Sequence, residues 1–113
     1  MKALDFNTVK KNYWKVTLPD EEKTRLDIMT PTKKMVEEMG EILGLMNETV
    51  ENPNDTELVI FYEFVAKCMS RNKQGVKVTG KQLGEFLDFE DLAIFLDSYT
   101  DFINEQEKVQ EKN

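Results

Sequence analysis

The stretch Asp88–Glu107 reads DFEDLAIFLDSYTDFINEQE, and we expect the rest of the fold to be organised around it. Its apolar residues recur every three or four positions, which places them on one face of an α-helix. They are Phe89, Leu92, Ala93, Leu96, Tyr99 and Ile103. Ile94, Phe95 and Phe102 lie outside this stripe and widen it, so the helix should contact more than one neighbour. Asp88 is suited to cap the first turn.

A second apolar stretch, Leu58–Met69, reads LVIFYEFVAKCM and contains ten apolar residues among twelve. Glu63 and Lys67 interrupt it four positions apart, as they would on one face of a helix. A helix with so narrow a polar stripe is either buried nearly all round or contacts a partner. A strand at the start of this stretch is the alternative, but the length of the run and the capping residues before it, Asn54 and Asp55, favour a helix.

Two further helices are predicted on either side of that stretch. Pro31 marks the start of the first one. Its apolar stripe consists of Met35, Val36, Met39, Ile42, Leu43 and Met46. Gly40 and Gly44 lie inside this helix, where they either allow close approach of another backbone or only weaken the helix. Thr79 can cap the second, a short helix over Gly80–Leu87.

A β-hairpin is predicted near the start of the chain. Tyr13–Leu18 reads YWKVTL and has the alternating pattern of a strand, with many aromatic and β-branched residues. Pro19–Lys23 has the composition of a turn, and Thr24–Thr30 is predicted to return as the second strand. A lone hairpin is marginally stable in water, so this one must pack on the helices or on another chain. Met1–Lys11 should form an extended lead-in.

These elements predict an α+β fold that is mostly α, with an N-terminal β-hairpin followed by a bundle of about four helices. The 113 residues suit a single domain over residues 1–113. Within it we distinguish an extended or hairpin part at 1–30 and a helical part at 31–108. The charged tail at 109–113 is expected to fray.

The charge of the chain is acidic and unevenly distributed. The formal net charge is −7, from 22 acidic and 15 basic residues, which disfavours nucleic acid as a partner. Phe64–Gly84 contains five cationic residues and no acid, whereas Glu85–Glu107 contains eight acids and no base. We interpret these as two solvated faces, with pairing inside one chain or between copies as the alternative. No apolar run is long enough to span a bilayer, so no membrane partner is expected.

The residue types present predict neither an enzyme nor a cofactor. The chain contains no histidine and a single cysteine, Cys68, which excludes histidine-based catalysis, histidine zinc sites and Cys-x-x-Cys motifs. Cys68 should be a core residue, and one cysteine fits a reducing, cytoplasmic setting. Paired carboxylates can hold a divalent ion, but those of the last helix are expected to face solvent. They are Glu90, Asp97, Asp101 and Glu105. The start of the chain lacks the apolar stretch of a signal peptide.

The best candidates for partner binding or for packing come from the two most apolar helices. They are Val59, Ile60, Phe64, Phe95, Tyr99 and Phe102. Tyr99 is predicted to be a core residue with its hydroxyl at the rim. The methionine stripe of the first helix should also be core, although methionine-rich surfaces can suit adaptable binding.

The order of elements and two long phrases resemble the small tail assembly chaperones of long-tailed bacteriophages and prophages of Gram-positive bacteria. The first phrase is the opening LDFNTVKKNYWKVTLPDEEKTRLDIMTPTKK, and the second is the close FLDFEDLAIFLDSYTDFINE. In that family a hairpin precedes a mostly helical body. The second phrase is similar to the aromatic C-terminal helix of the family, with Phe89, Leu92, Phe95, Tyr99 and Phe102 in matching places.

The resemblance implies a non-enzymatic protein that binds the tape-measure protein and helps to recruit tail-tube subunits. It implies that the protein works in the cytoplasm of the bacterial host and is absent from the mature virion. A translational frameshift gives many such proteins a second, longer form. The alternative function is another small phage structural or interaction protein, such as a head–tail joining component or a regulatory adaptor. Apolar surface that can be shared also suggests a homo-oligomer.

Overall fold

The computed structural model describes the backbone of residues 3–49 and 52–111, and side chains as far as residue 106. The elements are β1 (Trp14–Thr17), β2 (Arg25–Ile28), α1 (Lys33–Glu48), α2 (Asp55–Ser70), α3 (Gly80–Leu83) and α4 (Phe89–Glu111). The predicted mostly helical α+β fold, with its hairpin first, is therefore confirmed. The tail predicted to fray is helical as far as Glu111, and residues 112–113 lie outside the described residues.

The hairpin forms as its alternating pattern predicts. Its strands pair antiparallel, with Trp14 opposite Ile28 and Val16 opposite Leu26. The turn is closed by Asp20, whose carboxylate accepts hydrogen bonds from the backbone and the hydroxyl of Thr24 at 2.8 and 2.6 Å. Those two bonds hold the pKa of the Asp20 carboxyl below its usual value.

The hairpin gains its support from the segment that follows α2. The backbone N–H of Met29 donates to the carbonyl of Arg71, and that of Lys73 donates to the carbonyl of Asp27, each over 2.9 Å. Asn72 is buried between these contacts and forms an isolated bridge with Ile28. A third segment of chain thus extends the hairpin and stabilises it, as expected for a hairpin that is marginally stable alone.

Three helices, α2, α3 and α4, begin where the predicted capping residues place them, and α1 begins at Lys33, two residues after Pro31. The side chains of Thr32, Asn54 and Thr79 each accept a hydrogen bond from the first turn of α1, α2 and α3. Asp88 accepts one from the backbone of Asp91 at 2.8 Å and so caps α4. These bonds satisfy N–H groups that have no partner within the helix.

The short helix α3 ends at Leu83, four residues before the predicted end at Leu87. Gly84 follows at once, and glycine weakens a helix because its backbone loses more freedom on ordering. The carbonyl of Leu87 accepts a hydrogen bond of 2.6 Å from the hydroxyl of Tyr62 on α2. This bond holds the C-terminal end of the α3–α4 connection against α2, just before α4 begins at Phe89.

The central helix of the fold is α2, and the expectation that Asp88–Glu107 would organise the chain is wrong. Helix α2 lies against α1, α3, α4 and β2. Its C-terminal half is buried almost all round, with Phe61, Val65 and Cys68 fully inaccessible to solvent. Helix α4 cannot occupy the centre because its acidic residues need one face in water.

Two details of α1 also differ from the prediction. Val36, which was assigned to its apolar stripe, is 42% exposed, whereas Met35, Met39 and Met46 are buried as predicted. A side chain at Gly40 or Gly44 would meet nothing within 4 Å among the described residues. Within residues 3–49 and 52–111, no close approach of another segment explains either glycine.

Candidate protein-interaction surface

The structure separates the six candidate partner-binding or packing residues into two groups. Val59 and Ile60 lie in the N-terminal half of α2 and are 54% and 39% exposed. The other four are buried: Phe64, Phe95, Tyr99 and Phe102. The first two therefore stand on the surface of the chain, while the other four pack its core.

Three of the buried residues attach the hairpin to α4. The ring of Trp14 on β1 lies with its centroid 5.3 Å from that of Phe95, 5.9 Å from Tyr99 and 6.0 Å from Phe102. The spacing of three and four residues along α4 puts these rings on one face, where a single indole contacts all three. The aromatic residues of α4 are thus used inside the chain.

The hydroxyl of Tyr99 is not at the rim, contrary to the prediction. Tyr99 is 1% exposed, and within the described part of the chain its hydroxyl finds no hydrogen-bond partner of good geometry. After burial, the thiol of Cys68 is the largest influence on the pKa of this hydroxyl and raises it, while Arg71 lowers it. Burial raises the pKa of Cys68 to about 12 and also raises the pKa of Tyr99. Both groups are therefore neutral at ordinary pH, and the thiol is unsuited to act as a nucleophile.

A groove of about 340 Å³ runs between α1 and α2 beside Ile60. Its apolar lining is provided by Ile42, Ile60 and Phe64, and its charged lining by Glu38, Glu41, Glu63 and Lys67. The ammonium of Lys67 lies 2.9 Å from a carboxylate oxygen of Glu38, so those two charges balance. Glu41 and Glu63 leave the groove with net negative charge.

Neither this groove nor a second group of exposed apolar residues, at the start of the chain, was predicted from the sequence. Ile42 packs against the core, as its place in the predicted stripe indicates, and it also lines the groove. Leu4 and Phe6 were treated as part of a lead-in, and the structure leaves them 70% and 73% exposed. Large apolar residues in a segment without helix or strand periodicity were the signal that could have marked this second surface.

The charged residues of the described part of the chain are spread over its surface and are not gathered into a metal-binding cluster. The carboxylates considered for metal binding all lie exposed on α4: Glu90, Asp97, Asp101 and Glu105. The described side chains contain no group of three or more potential metal ligands. The ion pairs found among them, Lys33–Glu37 and Lys67–Glu38, do not join the basic Phe64–Gly84 segment to the acidic helix.

The described residues thus place exposed apolar side chains of α2 beside an acidic groove. Between residues 3 and 111, apart from the gap at 50–51, no helix has the length and apolar character needed to cross a membrane. No protein-family model matches the chain, and neither the curated proteins nor the solved structures contain a significant match.

Proposed function

We propose that this chain is a phage tail assembly chaperone that binds the tape-measure protein and helps to recruit tail-tube subunits. Two features of the sequence support the proposal, namely the family-like opening and closing phrases. The order of elements, a hairpin and then helices, is also the order in that family. The observation that carries the proposal is the exposed apolar pair Val59 and Ile60 on α2.

The pair Val59–Ile60 suits a client that is itself apolar and helical. Six apolar residues from Phe61 to Met69 are buried by the chain's own elements, whereas Val59 and Ile60, nearer the start of the helix, are exposed and available for contact with a client. A client helix laid against it would bury apolar area, which is the main source of affinity in such contacts. The net charge of −7 would keep the complex with an aggregation-prone client dispersed.

The proposal places the protein in the host cytoplasm during tail assembly and outside the finished virion. Its test is co-expression with the neighbouring tail genes, followed by pull-down of the tape-measure protein. The double variant Val59→Ser with Ile60→Ser should lose most of the captured tape-measure protein. Ile94→Ser is the matched control, because Ile94 is 56% exposed on α4 and should not affect capture.

Two outcomes would overturn this proposal. The first is the absence of tape-measure protein from the pull-down of the unmodified chain. The second is the presence of the chain in purified virions, which would favour a head–tail joining component. The position of the gene gives an independent check, because a chaperone gene should lie between the tail-tube and tape-measure genes.

A further inference from the structure

The N-terminal arm, which we define as residues 3–12, has an unusual surface for the end of a small domain. Leu4 and Phe6 are the two most exposed large apolar residues of the described chain. A turn orders this part of the arm, since the carboxylate of Asp5 accepts a hydrogen bond of 2.9 Å from the backbone of Asn7. Isolated exposed apolar residues are common on proteins, but here two of them lie two positions apart beside an ordered turn.

The arm has two apolar side chains, Leu4 and Phe6, on either side of Asp5, and it is basic at its other end. Lys10 and Lys11 follow Val9 and are exposed. The α1/α2 groove has the complementary composition, with an apolar lining that includes Ile60 and a negative rim that includes Glu41. A ligand that fits this groove must therefore combine apolar side chains with positive charge.

We propose that the arm of one copy binds in the α1/α2 groove of a second copy. Leu4 and Phe6 would contact Ile42 and Ile60, which removes apolar surface of both copies from water. Lys10 and Lys11 would lie near the carboxylates of the rim. The apolar contact sets most of the affinity, and the charges set orientation and association rate.

The proposed contact joins two different surfaces and so is heterologous. A dimer joined by one such contact still has one free arm and one free groove, so association continues beyond the dimer unless a ring closes. This inference concerns the chain alone and does not rest on the proposed function, because its tests require no phage component.

The first test uses two variants that each lack one half of the contact. Phe6→Ser removes the arm anchor, and Ile60→Lys places a charge in the groove. Each variant alone should show a dissociation constant for self-association raised roughly tenfold or more, as expected for loss of an anchor residue. Mixed together they should form a one-to-one dimer that grows no further, since one intact arm and one intact groove remain. Sedimentation velocity across a concentration series measures both results.

Two controls separate this contact from general stickiness and from misfolding. Ile94→Lys introduces the same charge at an exposed isoleucine outside the groove and should leave self-association unchanged. Far-UV circular dichroism should give each variant the helical signal of the unmodified chain. A variant that fails this check is replaced by Leu4→Ser for the arm or Ile60→Ser for the groove.

The second test exchanges the charges of the contact. Lys10→Glu and Glu41→Lys should each weaken self-association at low salt, and the chain carrying both changes should regain it. Lys15→Glu, an exposed lysine of β1 outside the arm, should have no effect of this kind. The proposal is overturned if the unmodified chain is monomeric at every concentration. It is also overturned if the mixed variants fail to dimerise, or if the double charge exchange restores nothing.

Discussion

Gly80 is the glycine of this chain that packing requires, because α3 begins against the backbone of α2. A Cβ added there would lie 3.0 Å from the backbone nitrogen of Glu63 and 3.1 Å from the carbonyl carbon of Tyr62. Neither backbone atom can move without shifting α2. Gly40 and Gly44 are the opposite case, since a Cβ on either would meet nothing within 4 Å in the described chain.

Alanine should therefore have opposite effects at these glycines. Gly80→Ala should lower the free energy of unfolding by about 1–3 kcal/mol, the usual cost of overpacking. Gly40→Ala and Gly44→Ala should each raise it by roughly 0.5–1 kcal/mol, because alanine favours the helix. Urea denaturation followed by circular dichroism measures all three, and stabilisation by Gly80→Ala would show that α3 is not pressed against α2.

Cys68 should lower the stability of the fold as the pH rises into the alkaline range. Its pKa rises from an ordinary value of 9.0 to about 12 in the native state, and the pKa of Tyr99 is raised as well. Below the ordinary value both states keep the thiol proton, so this group does not change stability with pH. Above it the unfolded chain loses the proton while the native chain retains it, so stability falls as pH rises towards 12, by at most about 1.4 kcal/mol per pH unit for the thiol.

Urea denaturation over a pH series above neutrality measures this loss. Cys68→Ala removes the thiol and should show a shallower decline, which separates the contribution of Cys68 from those of tyrosines and lysines. A thiol reagent should modify Cys68 only in molecules that have unfolded, because the thiol is buried in the native protein. Rapid modification of the folded protein under mildly alkaline conditions would contradict the burial of Cys68.

At the scale of elements, the hairpin is held by one aromatic cluster and one strip of backbone contacts. Trp14 contacts three rings of α4, and the opposite edge of the hairpin is bonded to the segment after α2. The sequence predicted that the hairpin needs such support. It did not predict that the support comes from α4 on one side and from Arg71 to Lys73 on the other.

Trp14→Ala should remove much of the attachment of the hairpin to α4. Trp14 is only half-buried, so we expect a loss near the lower end of the range for large aromatic truncations, about 3 kcal/mol. Tyr13→Ala is the matched control, because Tyr13 is a neighbouring aromatic residue outside the cluster and should cost below about 1 kcal/mol for its contact with Lys73. Thermal unfolding of both variants by circular dichroism gives the comparison, and equal losses would argue against the cluster.

At the scale of the whole molecule, a net charge of −7 weakens the compact state through self-repulsion. The repulsion is concentrated on α4, where Asp97, Asp101 and Glu105 are exposed at intervals of four residues. Like charges at this spacing on a helix destabilise it by roughly 0.2–0.5 kcal/mol for each pair. The described ion pairs offer α4 no compensating cation.

Neutralising these three acids as Asp97→Asn, Asp101→Asn and Glu105→Gln should raise the melting temperature at low salt. The unmodified chain should approach the variant as salt is raised to about 0.15 M, where the Debye length is about 8 Å. Glu90→Gln should instead lower the melting temperature, because Glu90 lies in the first turn of α4, where its negative charge interacts favourably with the helix dipole. Differential scanning calorimetry at two ionic strengths measures each change, and a salt-independent melting temperature would show that repulsion along α4 is negligible.

The sequence by itself determined where the main elements form. Capping residues such as Asn54 and Asp88, the alternation of Tyr13–Leu18 and the helical spacing of apolar residues act over a few neighbouring positions. The mostly helical α+β fold and the starts of its helices follow from them, and so does the burial of the α1 methionines. The end of α3 did not follow, because Leu83, Phe86 and Leu87 keep helical spacing past Gly84, where the helix has already ended.

The tertiary structure decided which apolar faces are covered. Leu58–Met69 and Asp88–Glu107 are both apolar enough to be central, and only their packing shows that α2 is surrounded while α4 faces solvent on its acidic side. The same packing buries Tyr99 and leaves Val59 and Ile60 exposed beside a groove. Exposure depends on which elements arrive from distant parts of the chain. Hydrophobic attraction is non-directional, so a local pattern can show that a face is apolar but not what covers it.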